Sequence, residues 1–264
     1  MRIAFASLTL AVAAAANADM LVSSQNFNGL TIGNLASDTT GVTAGQGGWY
    51  IFGSVASYAQ IVADPNAANT NGATAHNGGQ VLQTQAATSG TSTRFTWNDD
   101  VFNTMSANPV GNNLFVMTYD FYMDGPSATS TNRYGNYLYD TTGTKIIAGC
   151  TMQNNTGQFY LLSNYNNAGT IGNFSFSTGT SGILARNTWY TFQYSFNSTT
   201  GRLTAGFKAF GAASFTEFFV DGAAAGTSTL GFYDNIEAFT TVGVPAPGAI
   251  ALLGLAGLTG RRRR

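Results

Sequence analysis

The segment Leu114-Phe-Val-Met-Thr-Tyr-Asp-Phe-Tyr-Met123 decides the fold class. Large apolar side chains occupy every second position, so they share one face of an extended chain while the remaining side chains share the other. This period of two is typical of a half-buried β-strand. The first face carries Phe115, Met117, Tyr119, Phe121 and Met123, and the second carries Thr118, Asp120 and Tyr122.

The same alternation recurs in segments that are separated by turn residues, which predicts further strands and hairpins. The predicted strands beyond the first are residues 137–139, 145–152, 158–162, 187–196, 202–207 and 229–242. Between the two ends of the chain, no segment has a sustained helical period. The sequence therefore predicts an all-β body over residues 19–243, built as a two-sheet antiparallel sandwich.

Short motifs near both ends of this body resemble those of concanavalin A-like (laminin G-like) jelly rolls. The motifs are Phe27-Asn-Gly-Leu, Ile32-Gly-Asn-Leu, Gly45-Gln-Gly-Gly-Trp49, Val62-Ala-Asp-Pro, Gly79-Gln-Val-Leu82 and the closing Phe232-Tyr-Asp-Asn-Ile236. The resemblance implies a jelly roll. It does not imply one function, because such sandwiches serve as lectins, hydrolases and structural domains.

The composition excludes nucleic acid as a partner. Five of the 11 basic residues lie at the two ends of the chain, so the body sets six basic residues against 12 acidic ones, a charge near −6. Binding to phosphates requires clustered Lys and Arg. The single cysteine, Cys150, excludes an internal disulfide and is expected to be a small buried residue.

The first 18 residues predict a secretory signal helix. A positive start at Met1-Arg2 precedes an apolar run, and Ala16-Asn-Ala18 has the small-x-small form of a cleavage site. We expect cleavage after Ala18.

Residues 244–264 predict a sorting tail that ends in a short hydrophobic helix. The apolar run from Ile250 is shorter than the roughly 20 residues of a stable span, and the terminal arginines favour the cytoplasmic side. The layout resembles the bacterial PEP-CTERM tail, although Ala246 replaces the usual acidic residue. That resemblance implies transient membrane anchoring and an exosortase-type membrane peptidase as partner. An ordinary anchor and a helix that folds back on the body are the alternatives. The sorting residues are Val244, Pro245, Ala246, Pro247, Arg261, Arg262, Arg263 and Arg264.

No catalytic motif is evident, so we expect that the body is not an enzyme. The single histidine, His76, lies in a Gly/Asn-rich segment that is typical of a solvated loop, and a Ser/His pair needs a histidine base. The paired carboxyls of a glycoside hydrolase are absent in the spacing Glu-x-Asp-x-x-Glu. Asp120 and Asp140 are the remaining candidates for such a pair, and both are expected at the surface or in turns.

No cofactor is expected, with structural Ca²⁺ as the open alternative. Asp234 shares the parity of apolar residues in the last predicted strand, and a buried carboxylate must be paired, hydrogen-bonded or metal-bound. Asp234 and Asn235 are the candidate ligands. Two alternatives explain Asp234 without a metal ion: a bulge that turns its side chain outward, or hydrogen bonds from backbone N–H groups.

Aromatic and polar side chains interleave in two segments in the way that sugar binding requires. The candidate glycan contacts are Arg133, Tyr134, Asn136, Tyr137, Tyr139, Asn164 and Tyr165. Burial in the core explains such rings as well. Trp97 and Trp189 are expected in the core, and Trp49 is left open.

Together these features predict an exported bacterial envelope or extracellular-matrix protein. Its body is expected to be non-enzymatic, with a structural or adhesive role. The alternatives are a carbohydrate-binding, lectin-like module that contacts exopolysaccharide and, third, a glycoside hydrolase.

Overall fold

A computed structural model describes the body of the chain in segments. They are residues 20–67, 76, 78–85, 94–99, 104, 107–124, 132–139, 146–165, 171–177, 183–199, 203–212, 216–218 and 230–241. Side chains are not described for residues 22, 23, 163–165, 171–177, 216–218 and 230–241. The predicted signal helix with Ala16 and Ala18, and the tail from Val244 to Arg264, lie outside the described residues.

Fifteen strands and two short 3₁₀ helices make up the described body. The strands are β1 (Met20–Gln25), β2 (Gly33–Asn34), β3 (Trp49–Phe52), β4 (Ala59–Ala63), β5 (Gln80–Gln85), β6 (Phe95–Asn98), β7 (Leu114–Met123), β8 (Arg133–Tyr139), β9 (Ile146–Gln153), β10 (Phe159–Tyr165), β11 (Ile171–Ser177), β12 (Trp189–Asn197), β13 (Leu203–Ala209), β14 (Thr216–Phe218) and β15 (Leu230–Thr241). The 3₁₀ helices are Gln46–Gly48 and Ala56–Tyr58.

The described strands form three antiparallel sheets. The principal sheet has nine strands in the order β14-β13-β12-β7-β15-β5-β4-β2, and β1 also pairs with β15. A four-stranded sheet has the order β11-β10-β9-β8, and β3 pairs with β6 in a two-stranded sheet. The predicted hairpins are confirmed as β8–β9 and β12–β13, and the predicted closing strand as β15.

The core lies between the principal and the four-stranded sheets, which confirms an all-β sandwich. The face of β7 that carries Tyr119 and Phe121 packs with Phe192 of β12. From the opposite sheet, Phe159 meets Phe192 edge-on at a centroid distance of 5.1 Å. Aromatic rings pack favourably in this edge-to-face geometry.

Hydrogen bonds cross this core and hold β8 in place. The Tyr119 hydroxyl donates to the Cys150 carbonyl (2.6 Å) and accepts from the Asn136 N–H (3.1 Å). The Tyr194 hydroxyl donates to Asn136 Oδ1 (2.6 Å). Burial raises the pKa of the Cys150 thiol to about 12, so this cysteine is a neutral core residue, as expected.

The second face of β7 is buried as well, so the expectation of a half-buried strand is wrong. Val116, Asp120 and Tyr122 are all buried. Tyr122 packs with Val81 and Trp189 in a separate apolar cluster on the outer side of the principal sheet. In the part of the chain that the structure describes, no helix is both long and apolar enough to cross a membrane.

Candidate functional site

The two-stranded sheet turns a row of aromatic side chains outward. In β3, Trp49 and Ile51 are buried, whereas Tyr50 and Phe52 lie on the other face and Phe52 is 47% exposed. Successive side chains of a strand point to opposite faces, so this separation follows directly from the sequence Trp49-Tyr-Ile-Phe52. Adjacent large rings in contact with water are unfavourable, and contiguous apolar patches of this kind often mark a binding surface.

Strand β6 adds two rings to the same face. Trp97 is the cross-strand partner of Tyr50, and Phe95 is the partner of Phe52. The rings of Trp97 and Tyr50 stack at 5.4 Å with an interplanar angle of 11°. Phe95 remains 40% exposed. Four aromatic side chains thus form two adjacent cross-strand pairs.

The row of rings continues onto the four-stranded sheet. Phe95 meets Tyr139 of β8 edge-on at 6.4 Å, and Tyr139 meets Tyr137 in the same way at 6.3 Å. Burial raises the pKa of both phenols, which are therefore neutral hydroxyls that donate and accept hydrogen bonds. We call this row the aromatic surface; its members are Tyr50, Phe52, Phe95, Trp97, Tyr137 and Tyr139.

A buried tyrosine holds the two-stranded sheet together behind the aromatic surface. The Tyr58 hydroxyl accepts from the Phe52 N–H (3.0 Å) and contacts the carbonyl oxygens of Phe52 and Phe95. Arg94 lies 5.3 Å above the Tyr58 ring and donates to the Gln85 carbonyl of β5 (2.8 Å). These contacts connect the aromatic surface to the principal sheet.

A tight loop supports Trp97. The Asp38 carboxylate accepts hydrogen bonds from the backbone of Thr40, Val42 and Thr43 and from the Thr40 hydroxyl, and these bonds lower the pKa of Asp38. The loop brings Gly41 against the indole: a Cβ at this position would lie 2.5 Å from Cη2 of Trp97. Gly41 also has a φ of +77°, which favours glycine.

A cation lies at the β8 end of the aromatic surface. The Arg133 guanidinium is 3.7 Å from the centroid of the Tyr160 ring, a cation–π contact. Tyr160 in turn donates to Gln158 Oε1 (2.8 Å). The Tyr137 ring lies over the cross-strand partner Gly149, where a Cβ would meet it. This end can therefore hydrogen-bond as well as stack.

The predicted glycan contacts divide between two faces of β8. Arg133, Tyr137 and Tyr139 lie on the outer side, next to the aromatic surface or within it. Tyr134 is 5% exposed and belongs to the core, and Asn136 is held inside by Tyr119 and Tyr194, so neither is presented to a ligand. Asn164 and Tyr165 lie at the end of β10, with side chains outside the described part.

The aromatic surface contains four rings that are not among the predicted glycan contacts: Tyr50, Phe52, Phe95 and Trp97. The expectation that Trp97 lies in the core is wrong, because this side chain is only half-buried. Burial of Trp189 is confirmed, and Trp49 also proves to be buried. The signal that was available is the alternation in Trp49-Tyr-Ile-Phe52 and Phe95-Thr-Trp97.

The expected calcium ligands lie beside a break in strand pairing. The Cα partner of Asp234 in β7 is Asp120, and the register shifts between Asp234 and Glu237. The regular alternation of faces, which predicted an inward Asp234, is therefore interrupted directly after this residue. Among the side chains described, no three or more His, Cys, Asp or Glu form a group suited to a metal ion. The side chains of Asp234 and Asn235 are outside that set, so this calcium site stays a prediction.

Comparison with solved structures gives distant likenesses, at 11–15% identity and TM-scores of 0.33–0.45. No protein family and no curated protein matches the sequence. A carbohydrate esterase from the Shiga toxin-encoding bacteriophage phi24B is 15% identical with a TM-score of 0.39, over 80% of this chain and 100% of that chain. The catalytic domain of a glycoside hydrolase family 131 protein from Coprinopsis cinerea is 12% identical, with a TM-score of 0.45, over 86% and 95%. The Ca²⁺- and Man2-bound exoplasmic/lumenal domain of VIP36 is 11% identical, with a TM-score of 0.33, over 82% and 90%.

The expectation that the body is not an enzyme is contradicted by this comparison, because two of these three proteins are carbohydrate-active enzymes. The expectation depended on a missing Ser/His pair and a missing carboxylate spacing, which exclude two catalytic arrangements but not all others. Of the candidate carboxyls, Asp120 is buried, contrary to expectation, and Asp140 lies outside the described residues. A likeness at this level assigns no activity to this chain.

Replacing Gly41 by Ala should disturb the aromatic surface through its support. The added Cβ meets Trp97, and the left-handed backbone is unfavourable for alanine, so the free energy of unfolding should fall by about 1–2 kcal/mol. Denaturant unfolding followed by tryptophan fluorescence measures the change. Gly29→Ala is the matched control, because no atom lies within 4 Å of a Cβ there. Equal stability of the two variants would contradict the support that we assign to Gly41.

Proposed function

We propose that this protein is an exported polysaccharide-binding protein with a concanavalin A-like jelly-roll body, and that the aromatic surface binds the glycan. The observation that carries the proposal is the continuity of six aromatic rings across two sheets, of which Phe52 and Phe95 are the most exposed. Four of them lie in paired positions on β3 and β6, and Tyr139 links them to Tyr137 on β8.

The proposed binding mode is stacking of sugar rings on aromatic faces. A pyranose ring has a face made of C–H groups and a rim made of hydroxyls, so it needs both apolar and polar contacts. Phe52 and Phe95 supply exposed apolar area, and the hydroxyl of the half-buried Tyr139 supplies hydrogen bonds at one end. An open row of this kind suits a chain of several sugar units.

The charge distribution favours a neutral or weakly charged glycan. None of the six side chains carries a charge at neutral pH, and among the described residues the cations next to this row are Arg94, over the Tyr58 ring, and Arg133, over the Tyr160 ring. Arg94 is already bonded to Gln85, and the body as a whole is acidic. Long-range repulsion would therefore oppose a strongly anionic chain.

The two ends of the chain supply the proposed destination. A signal peptide over residues 1–18 would export the protein. A PEP-CTERM-like tail over residues 244–264 would hold it at the membrane until an exosortase-type peptidase processes it. A polysaccharide-binding body fits this destination, because the cell envelope and its exopolysaccharide then lie within reach.

Removing rings from the aromatic surface should weaken glycan binding. Phe95→Ala and Tyr139→Ala should each weaken affinity by about tenfold, or about 1.4 kcal/mol, because each removes one stacking face from the centre of the row. Affinity electrophoresis in hydroxyethyl cellulose, α-mannan and alginate measures the retardation. We expect retardation in at least one of the two neutral polymers and little in alginate.

Val110→Ala is the matched control, because Val110 is 96% exposed and lies outside the aromatic surface. Its retardation should equal that of the unaltered protein. An absence of retardation in all three polymers, or unchanged retardation of both ring variants, would contradict the proposed function.

Deleting residues 244–264 should change location and leave stability unaltered. The last described strand ends at Thr241, and Pro245 and Pro247 prevent its continuation, so the tail is not expected to be part of the sheet. The melting temperature of the purified body should stay the same, and the truncated protein should appear in the medium of a native host. A clear fall in melting temperature would mean that Ile250 to Leu258 packs against the sandwich, and the sorting tail would have to be abandoned.

A further inference from the structure

The single histidine of the chain is buried between two carboxylates on the outer side of the principal sheet. His76 Nδ1 lies 2.5 Å from Asp64 Oδ2, and His76 Nε2 lies 3.8 Å from Asp120 Oδ2. The histidine side chain is 0% exposed, and the two aspartates are 1% and 6% exposed. The expectation of a solvated loop histidine is therefore wrong. Three ionisable groups are buried together in a chain with only 9% charged residues.

Each carboxylate of this cluster is fixed by hydrogen bonds from other elements. Asp64 Oδ1 accepts from the Asn66 N–H (2.8 Å) and from Trp189 Nε1 (3.2 Å). Asp120 Oδ1 accepts from the Thr191 hydroxyl (2.6 Å). The cluster thus joins the end of β4 to the central strands β7 and β12.

Aromatic rings enclose the imidazole. His76 stacks on Trp189 at a centroid distance of 3.9 Å and an angle of 7°, and Phe210 meets it edge-on at 4.9 Å. A protonated imidazole is favoured over the face of an indole. These contacts place the chain between β4 and β5 against the sheet at two points, Asp64 and His76.

The surroundings favour the protonated form of the histidine. Burial alone lowers the pKa of His76, but the interactions with Asp120 and Asp64 outweigh it and raise that pKa to about 9. Burial raises the pKa of Asp64, but hydrogen bonds and the His76 charge outweigh it and lower that pKa.

We infer that Asp64, His76 and Asp120 form an electrostatic latch, which holds residues 64–67, 76 and 78 on the principal sheet and releases them when His76 loses its proton. A neutral imidazole leaves two buried carboxylates without the positive charge between them, and buried charges without compensation are strongly destabilising. Release of these residues would expose both carboxylates to water. The sandwich would stay closed, because its core lies on the other side of the sheet.

Other titratable and charged groups lie on the strands around the latch. β7 also presents Tyr122, whose pKa is raised first by burial and then by the charges of Asp124 and Asp64. β12 and Phe210 present no titratable side chain to the imidazole. On β15, Asp234 is the Cα partner of Asp120. On β13, Lys208 is the cross-strand partner of Thr191 and lies on the same face, so the outer side also carries a cation beside the residue that bonds Asp120. His76 remains the group that lies between the two carboxylates.

The direction of the pH dependence follows from these shifts. Because the folded pKa of His76 is above its unfolded value, its stabilisation is complete below about 6.5 and is lost as the pH rises through about 9. Because the folded pKa of Asp64 is below 3.8, its stabilisation is present above that value and is lost as the pH falls further. The latch is therefore closed in mildly acidic and neutral solution and opens in alkali.

The direct test is an NMR titration of His76 in the unaltered protein, whose imidazole Cε1–H signal needs no assignment because the chain has one histidine. We expect a midpoint near 9, and Asp64→Asn should lower it by at least one unit, a tenfold weaker binding of the proton. Asp99→Asn, which removes a carboxylate outside the latch, should leave the midpoint unchanged. A midpoint at or below 6.5 in the unaltered protein would overturn the inference.

Release itself is measured by amide hydrogen exchange, corrected for the intrinsic rise of exchange with pH. Between pH 7 and pH 10, amides at residues 64–67 and 78–80 should lose protection at least tenfold, while those of β12 and β13 keep theirs. In His76→Gln the first group should be unprotected at both pH values. Unchanged protection at 64–67, or a simultaneous loss in β12 and β13, would show that no local latch exists.

Discussion

The structure depends on β7, a central strand whose two faces are buried against different partners. One face packs Tyr119 and Phe121 into the core between the sheets, and the other places Asp120 and Tyr122 in the cluster around Trp189. The strict alternation of the sequence makes both contacts possible at once, since neighbouring side chains point in opposite directions. A shift of one residue would exchange the faces and bury Asp120 in the apolar core.

The aromatic surface depends on this framework through its supports. Tyr58 and Arg94 attach the two-stranded sheet to β5, and Tyr139 belongs to β8, whose position is fixed by the hydrogen bonds of Asn136 to Tyr119 and Tyr194. The rings therefore stand on rigid strands, which lowers the entropic cost of ordering them for a ligand. The latch lies on the outer side of the principal sheet, where the side chains of Trp189 and Thr191 bond its two carboxylates.

The sequence alone was sufficient for the fold class and selected two of the six members of the aromatic surface. Alternation predicted β7, the hairpins and the closing strand, because strand period is a local property. It identified Tyr137 and Tyr139, but it could not show which face of β8 would be covered, and so it grouped Tyr134 and Asn136 with them. The segment around His76 is polar and rich in Gly and Asn, and its burial results from Asp120 and Trp189, which are distant in sequence. The pairing of β3 with β6 is likewise non-local, and without it Phe52 and Phe95 are isolated rings.

Acrylamide quenching of tryptophan fluorescence, with and without polysaccharide, tests most directly that the glycan covers the aromatic surface. Trp49 and Trp189 are buried, so the half-buried Trp97 should account for the quenching of the free protein. Hydroxyethyl cellulose or α-mannan, at a concentration that retards the protein, should reduce the quenching constant at least twofold, because the bound chain lies over Trp97 and Tyr50. Unchanged quenching at that concentration would place the bound glycan elsewhere and contradict the account.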